Sequence, residues 1–256
     1  MKLNWRIALC ALATVVMVAC KDKKEVTDPG TDPGTQTEDT TKQQPTDYTS
    51  PIKINDKSIA DWDKLDQSKV AVAKLPNDPL YTALKEIRVY ADQVYINYIV
   101  IFNPEEMTSH TPLDVMHIYM NADNNDETGG YFDQFDAIGQ GNTDLMFEGP
   151  IWDDMGQQIS YNPAVSLWAG ETKGEGWLWE EVDAAGTLGA SQFVEDGIIE
   201  GRLIRQYIPW KNWTDAFEIG FDIQQNYESV GLLPQGNTPD GELIGRARKL
   251  YVTFDK

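Results

Sequence analysis

An oxygen-rich segment follows the short apolar run DVMHIYM and is the part of the chain best suited to hold a metal ion. It spans residues 121–136 and reads NADNNDETGGYFDQFD. A calcium ion takes about six to eight oxygen ligands from carboxylates, amides and backbone carbonyls. Alternate residues at the start of the segment supply such oxygens, and two aspartates can approach from its far side. The predicted calcium ligands are Asn121, Asp123, Asn125, Asp133 and Asp136.

The spacing of this segment does not match an EF-hand. Counted from Asn121, the sixth position is Asp126, where an EF-hand needs glycine, and the twelfth is Phe132, where it needs glutamate. Two interpretations stay open. A structural calcium ion would neutralise carboxylates that otherwise repel one another. A solvated acidic turn, with residues 128–130 making the bend, needs no ion.

A group of tryptophans could bind sugars, because indole rings are flat and apolar and carry one N–H donor for a hydroxyl. Trp177 and Trp179 occupy alternate positions of a predicted strand, so they share one face about 6.7 Å apart along it. Nearby glutamates can accept hydrogen bonds from sugar hydroxyls. The alternative for any tryptophan is a place in the core, which we expect for Trp62 and Trp210. The predicted ligand-binding residues are Trp177, Trp179, Trp152, Trp168 and Glu175.

The sequence contains no motif that indicates catalysis. It has no Gly-x-Ser-x-Gly elbow, no His-Glu-x-x-His pair and no glycine-rich phosphate loop. The only histidines are His110 and His117, and an acid pair chosen among 41 carboxylates is not evidence of glycoside hydrolysis. We therefore expect a protein that is not an enzyme.

The first 19 residues are predicted to be a secretory signal peptide. Lys2 and Arg6 precede an apolar run from Ile7 to Ala19, which is short for a membrane span. Residues 17–20, MVAC, resemble the lipobox of bacterial lipoproteins, which implies that Cys20 becomes the lipid-bearing first residue. A soluble secreted protein and an uncleaved anchor are the alternatives.

Residues 20–50 form a predicted flexible tether, because TDPG occurs twice and almost no residue is apolar. The charged residues after Cys20 resemble signals that direct some lipoproteins to the outer face of the outer membrane. The alternative is a linker without a targeting signal. Loss of the leader takes the net charge from −20 to −22. Such a charge disfavours nucleic acid and anionic lipid as partners, which leaves the lipid anchor as the only expected membrane contact.

Residues 51–256 are predicted to be one all-β domain. Short β-branched and aromatic runs alternate with Gly, Pro, Asn and Asp, as in residues 86–90 and 94–102, which should pair as a hairpin. Further strands are predicted at 115–120, 144–147, 165–168, 177–182, 192–195, 198–204, 217–225 and 250–254. Only residues 209–215 suggest a helical turn. This pattern predicts an antiparallel β-sandwich of two sheets, of the jelly-roll or immunoglobulin-like kind.

The order of several motifs resembles family 9 carbohydrate-binding modules and their DOMON-like relatives. These motifs are INDKSIADW at 54–62, the hairpin IRVYADQVYINYIV, the loop IYMNADNNDETGG and GRLIRQYIPW at 201–210. Asn121 replaces the family's first loop carboxylate, and Asn55-Asp56 replaces an Asp-Gly pair. The resemblance implies a β-sandwich with a structural calcium ion at the acidic loop.

These features together predict a lipid-anchored outer-membrane protein that binds a neutral oligosaccharide or polysaccharide without catalysis. The alternative is a surface adhesin, or a component of an outer-membrane assembly, that contacts another protein and no sugar.

Overall fold

The protein is a two-sheet β-sandwich in a computed structural model that describes residues 48–130, 142–170, 178–182, 191–208, 210–235 and 249–256. All of these residues belong to one compact unit, Lys42–Lys256. The predicted leader and most of the predicted tether, with Cys20, lie outside the described residues. Two antiparallel sheets confirm the predicted fold class.

The first sheet has five strands in the order β1-β2-β3-β9-β8. Its central strand β3 lies between β2 and β9, with Tyr98 opposite Val89 on one side and Gly201 on the other. Because strand β3 is covered on both faces, its sequence YINYIVIF is almost wholly apolar. The strands are β1 (Ala71–Lys74), β2 (Leu84–Ala91), β3 (Tyr95–Phe102), β8 (Ser191–Glu195) and β9 (Ile198–Ile204).

The second sheet has seven strands in the order β11-β10-β4-β5-β6-β7, and β12 pairs with the first half of β10. Strand β10 is long enough to pair with both β12 and β11 along one edge and with β4 along the other. The strands are β4 (Val115–Asn121), β5 (Leu145–Pro150), β6 (Ala164–Trp168), β7 (Trp179–Val182), β10 (Ala216–Gln225), β11 (Glu228–Leu233) and β12 (Leu250–Thr253).

The main core fills the space between the sheets with alternate side chains of facing strands. Met116, Ile118 and Met120 of β4 point into it, and so do Phe217 and Phe221 of β10. Residues at the intervening positions point to the outer face of the seven-stranded sheet, as expected from the period of two in a strand. This alternation decides which side chains are available to form a site.

The outer face of the five-stranded sheet is covered by the segment that enters the sandwich, residues 50–70. Trp62 packs there with Ile52, Tyr90 and Ile99, and its indole N–H donates to Glu200 Oε1 at 2.7 Å. The second Glu200 oxygen accepts from Gln192 Nε2 at 2.5 Å. Burial raises the pKa of the Glu200 carboxyl, and these two hydrogen bonds oppose the shift.

Most strand predictions are confirmed, and β9 has the predicted bounds. Strands β1 and β11 were not predicted. The predicted helical turn at 209–215 is wrong, because residues 210–214 have no regular structure. Trp213 instead packs its ring edge against Phe217 and Phe254, which holds the chain extended along the core.

The helices within the described ranges are four single-turn 3₁₀ helices, Trp62–Lys64, Gln67–Lys69, Pro104–Glu106 and Arg205–Tyr207. Among these residues no helix has the length and apolar character needed to cross a membrane.

Candidate functional site

The acidic loop after β4 is closed by its own side chains. Asn121 Oδ1 and Asp123 Oδ1 both accept from the backbone N–H of Asn125, at 3.1 and 3.0 Å. The Thr128 hydroxyl donates to both Asp123 oxygens at 3.2 Å, and Asn125 Oδ1 accepts from Glu127 N–H. Side-chain oxygens that cap local N–H groups in this way favour a turn. Asp133 and Asp136 lie outside the described residues.

Asp144 lies under this loop and belongs to the site, although the sequence marks it only as the start of a strand. Its Oδ2 accepts from the backbone N–H groups of Ala122 and Asp123, at 2.8 and 3.3 Å. The side chain is 1% exposed. Burial raises the pKa of Asp144 to about 7, with a smaller contribution from the negative charge of Asp123.

A buried lysine supplies positive charge to the same loop. Lys249 is 7% exposed and donates to Asn142 Oδ1, and its charge lowers the pKa of Asp144 against the effect of burial. Asn142 Nδ2 in turn donates to Asp126 and Glu218, and Glu218 also accepts from Asn121 Nδ2 at 3.1 Å. The loop is therefore tied to β10 and to the chain before β12.

The donor set of this loop fits a hard cation in type. Asp123 and Asp144 bring two carboxylates together, and Asn121 adds an amide oxygen, which are the ligand types that calcium prefers. In the part of the chain that the structure describes, no group of three or more His, Cys, Asp or Glu side chains is placed to hold a metal ion. A calcium ion at this loop therefore stays a prediction.

Trp168 and Trp179 form a cross-strand pair on the outer face of the seven-stranded sheet. They lie opposite each other on β6 and β7, with ring centroids 5.4 Å apart in an edge-to-face arrangement. Both side chains are half-buried, and the Trp168 Nε1 atom is buried without a hydrogen-bond partner among the described residues. Trp177 and Glu175 lie outside the described residues, so the predicted pairing of Trp177 with Trp179 is not described.

The end of the acidic loop packs against these two indoles. A Cβ atom on Gly130 would lie 2.6 Å from Trp179 Cζ2 and 2.7 Å from Trp168 Cε3, so any side chain there would force the rings to shift. Gly130 also pairs with Thr143 through two backbone hydrogen bonds. The acidic loop and the Trp168–Trp179 pair therefore meet at the same end of the sheet.

The outer face continues from the indoles into an aromatic cluster and a polar row. Trp179 packs against the buried residues Tyr119, Met146 and Leu232. One register step further along β4, the ring of His117 stacks parallel to Tyr119 at 5.5 Å.

The polar row contains His117 and Glu148, and His117 Nε2 lies 2.8 Å from Glu148 Oε2. This hydrogen bond lowers the pKa of the Glu148 carboxyl. His117 itself is 5% exposed, and its Nδ1 is buried without a partner among the described residues.

We call the surface formed by Trp168, Trp179, Ser166, Glu181 and Glu148 the indole face.

Trp152 lies in the core and not at this surface. It is 3% exposed, with Phe102 edge-on at 6.2 Å and the His110 ring at 4.2 Å. Trp62 is buried as expected, at 1% exposure, and Trp210 packs against the core while half-buried. Of the predicted ligand-binding residues within the described ranges, Trp168 and Trp179 are the two that present an indole to a surface.

No protein-family model matches the chain, and no curated protein matches it. A comparison with solved structures finds similarity to a family 9 carbohydrate-binding module from Caldicellulosiruptor kristjanssonii, solved in complex with cellotriose. The two chains are 12% identical, the match covers 81% of this chain and 91% of that chain, and the TM-score is 0.37. It is a structure of the family that the sequence motifs resemble. A similarity of this size establishes no ligand for this chain.

Proposed function

We propose that the protein binds a neutral oligosaccharide or polysaccharide without catalysis, and that the indole face is its binding surface. The observation that carries this proposal is the half-buried Trp168–Trp179 pair on the outer face of the sheet. Indoles at such a position can contact the apolar face of a sugar ring and still offer an N–H group to a hydroxyl. The Trp168 Nε1 atom is buried, so the pair would serve through its ring surface and not through this N–H group.

The polar residues of the indole face suit hydroxyl groups better than anionic groups. Ser166 and Glu181 lie opposite each other in the register row beside the indoles, and the Glu148 side chain is 51% exposed. Carboxylates accept hydrogen bonds from hydroxyls, but they repel an anionic sugar. The net charge of −20 acts in the same direction. A neutral glycan is therefore the ligand class that we propose.

The test is isothermal titration with a panel of neutral oligosaccharides, including cello-oligosaccharides. We expect saturable binding that Trp179→Ala weakens by at least about tenfold, as for an anchoring aromatic residue. Tyr207→Ala is the matched control, because Tyr207 is a 45% exposed aromatic residue beyond the end of β9. Equal affinities of the parent and Trp179→Ala, or no binding across the panel, would rule out the indole face.

We further propose a structural calcium ion at the acidic loop, held by Asp123, Asp144 and Asn121. The ion would neutralise two neighbouring carboxylates, and it would fix the loop whose end packs on the indoles at Gly130. The measurement is the melting temperature with calcium and with chelator. Asp123→Asn should lower the melting temperature in calcium and change little in chelator. An equal loss in both conditions would contradict the ion.

The lipid anchor at Cys20 and the outer-membrane location are also proposals, which rest on the sequence of residues 1–20. Metabolic labelling with a fatty acid should mark the parent protein and not Cys20→Ser. Labelling of both proteins would place the lipid elsewhere, and labelling of neither would remove the anchor.

Binding to another protein is the second candidate function, and three exposed apolar side chains favour it. Leu113 is 61% exposed before β4, Met155 is 80% exposed after β5, and Tyr227 is 86% exposed between β10 and β11. The register places these three loops at one end of neighbouring strands, because Val115 lies opposite both Gln224 and Pro150.

One observation and one general tendency support this second candidate. Tyr227 has φ +69°, a left-handed conformation that favours glycine, so the turn keeps an aromatic residue at a cost. Tyrosine and methionine are enriched in protein interfaces. The test is selection from a displayed peptide library. Selected peptides should lose binding to Tyr227→Ser/Met155→Ser and keep binding to Tyr251→Ser, whereas equal binding to both variants would contradict this candidate.

A further inference from the structure

The indole face continues along strand β6 as a row of short side chains. Val165 and Leu167 point into the core, so Trp168, Ser166 and Ala164 share the outer side of the strand. Ser166 is half-buried and Ala164 is exposed. The surface that leads away from the indoles along β6 is therefore lined by side chains too short to block it.

Two carboxylates border this row from the neighbouring strands. Glu148 of β5 lies opposite Ala164, and Glu181 of β7 lies opposite Ser166. Glu181 is exposed, and the Glu148 side chain is 51% exposed. Both carboxylates can accept hydrogen bonds from hydroxyl groups that lie over β6.

The register gives the distance from the indole pair to Glu148. Trp168 N–H donates to the Asp144 carbonyl, and Glu148 follows on β5, from position 144 to position 148. At about 3.3 Å per residue, four residues correspond to about 13 Å along the strand. The Trp179 ring packs against the cluster that includes Met146, which lies halfway. A single sugar ring is too short to contact both Trp168 and Glu148, whereas a chain of rings laid along β6 can do so.

Glu148 is held in place by a buried histidine. His117 Nε2 lies 2.8 Å from Glu148 Oε2, and His117 is 5% exposed. The His117 ring stacks on the Tyr119 ring at 5.5 Å and 4°, which fixes its orientation. Because an ionised carboxylate can only accept, Nε2 is the nitrogen that donates. Among the described residues, Glu148 Oε1 accepts no hydrogen bond and is available to a ligand.

His117 lies between this exposed carboxylate and a buried one. On its other side it is opposite Asp222 of β10, which is 0% exposed and accepts from Gln224 Nε2 at 2.6 Å. Tyr119 is the titratable neighbour on β4 itself. The hydrogen bond from His117 lowers the pKa of the Glu148 carboxyl, which keeps it ionised in weak acid. His117 is too buried to contact a ligand, so it is a positioning residue for Glu148.

We propose that the indole face binds a neutral oligosaccharide lengthwise along β6, with one ring on the two indoles and a hydroxyl of a later ring on Glu148, which His117 positions. This inference rests on the proposed neutral-glycan function and adds the length and direction of the ligand. Hydrogen bonds from hydroxyls to an ionised carboxylate are stronger than those to a neutral acceptor. The site should therefore prefer a chain of several rings to a monosaccharide.

The test is isothermal titration of the full chain with D-glucose, cellobiose, cellotriose and cellotetraose. Cellotetraose should bind at least about tenfold more tightly than glucose. Glu148→Gln should weaken cellotetraose binding at least about fivefold, because a neutral amide replaces the charged acceptor, and should leave glucose binding within about twofold. Glu195→Gln is the matched control and should bind as the parent does, because Glu195 is an exposed glutamate at the end of β8 in the other sheet.

Two variants at position 117 separate positioning from packing. His117→Gln keeps a donor near the place of Nε2 and should retain the cellotetraose affinity within about twofold. His117→Phe keeps a ring on Tyr119 and loses the donor, so it should weaken binding about as much as Glu148→Gln does.

The pH profile gives a readout that a packing role would not change. Binding by the parent should weaken as the pH falls through the lowered pKa of Glu148. In His117→Phe this loss should occur at higher pH, nearer the ordinary glutamate pKa of about 4.3. If His117→Phe does not fold, His117→Gln and Glu148→Gln still decide.

Three results would overturn the lengthwise placement. One is glucose binding as tightly as cellotetraose, and another is an equal effect of Glu148→Gln on both sugars. The third is an unshifted pH profile in His117→Phe. If Trp179→Ala still abolishes binding in these cases, the indole face stands and only the placement fails. If Trp179→Ala has no effect, or none of the four sugars binds, the proposed function itself fails.

Discussion

Replacing Trp62 by phenylalanine tests how the entering segment is held on the five-stranded sheet. The indole is 1% exposed and its N–H donates to Glu200, which is itself fully buried. Phenylalanine keeps an aromatic ring in place and removes the donor. The variant therefore isolates one buried hydrogen bond to a carboxylate, with a smaller loss of packing.

The expected cost follows from these two terms. A hydrogen bond to a charged group contributes about 1.5–3 kcal/mol, and losing it leaves a buried acceptor oxygen with one donor fewer. The smaller ring removes about 1 kcal/mol of buried apolar surface. Trp62→Phe should therefore lower the free energy of unfolding by about 3 kcal/mol, which a domain of ordinary stability survives.

The assay is urea denaturation at neutral pH, run as a double-mutant cycle with Glu200→Gln. The coupling between positions 62 and 200 should be about 1.5–3 kcal/mol, since the charge-assisted bond is absent when residue 200 is neutral. Trp210→Phe is the matched control, because within the described ranges the Trp210 Nε1 atom has no hydrogen-bond partner and its loss should cost only about 1 kcal/mol. Zero coupling between Trp62 and Glu200 would refute the reasoning.

Because burial raises the pKa of Glu200, the contribution of this carboxyl to stability is full below the ordinary glutamate pKa and is lost as the pH rises through the raised pKa. In urea denaturation, Glu200→Gln should therefore be better tolerated at pH 8 than at pH 4. The opposite order would contradict this reasoning. Gly130→Ala should force Trp168 and Trp179 apart at a cost of about 1–3 kcal/mol, seen as loss of the indole exciton band in circular dichroism; an unchanged band would mean that the two rings tolerate the methyl group. Tyr227→Gly should raise the free energy of unfolding by about 0.5–1 kcal/mol, because it relieves a left-handed conformation at an exposed side chain; a clear destabilisation in thermal unfolding would show that Tyr227 packs on the domain.

The strand pattern could be predicted from the sequence because sandwich strands follow a simple alternation. Strand β9 has the predicted bounds, and the hairpin of β2 and β3 turns at Asp92, whose Oδ1 caps the backbone N–H groups of Val94 and Tyr95. The two missed strands lack this signal. Strand β1 is only four residues long. Strand β11 contains Gly231, where any side chain would meet the Leu84 backbone at 2.6 Å.

The candidate site was less predictable, since its residues come from distant parts of the chain. Asp144 accepts from N–H groups about twenty residues earlier, and Lys249 reaches Asn142 across more than a hundred. No local pattern encodes such contacts. Trp152 is the opposite case, a residue that the sequence assigns to the site and the structure does not. Its residue type suits a sugar site, but the neighbouring His110 and Phe102 cover it. Residue type suggests a role, and only the register of the strands decides whether a surface exists for it.

The chain joins the sandwich at Tyr48, against Tyr95 on the outer side of the five-stranded sheet, whereas Trp168 and Trp179 lie on the outer side of the other sheet. A domain attached to a support at residue 48 would thus turn its tryptophan pair toward the solution and its entry segment toward the support. Biosensor chips loaded through an N-terminal tag should report glycan capture without obstruction, and attachment through a cysteine introduced on β7 should abolish it.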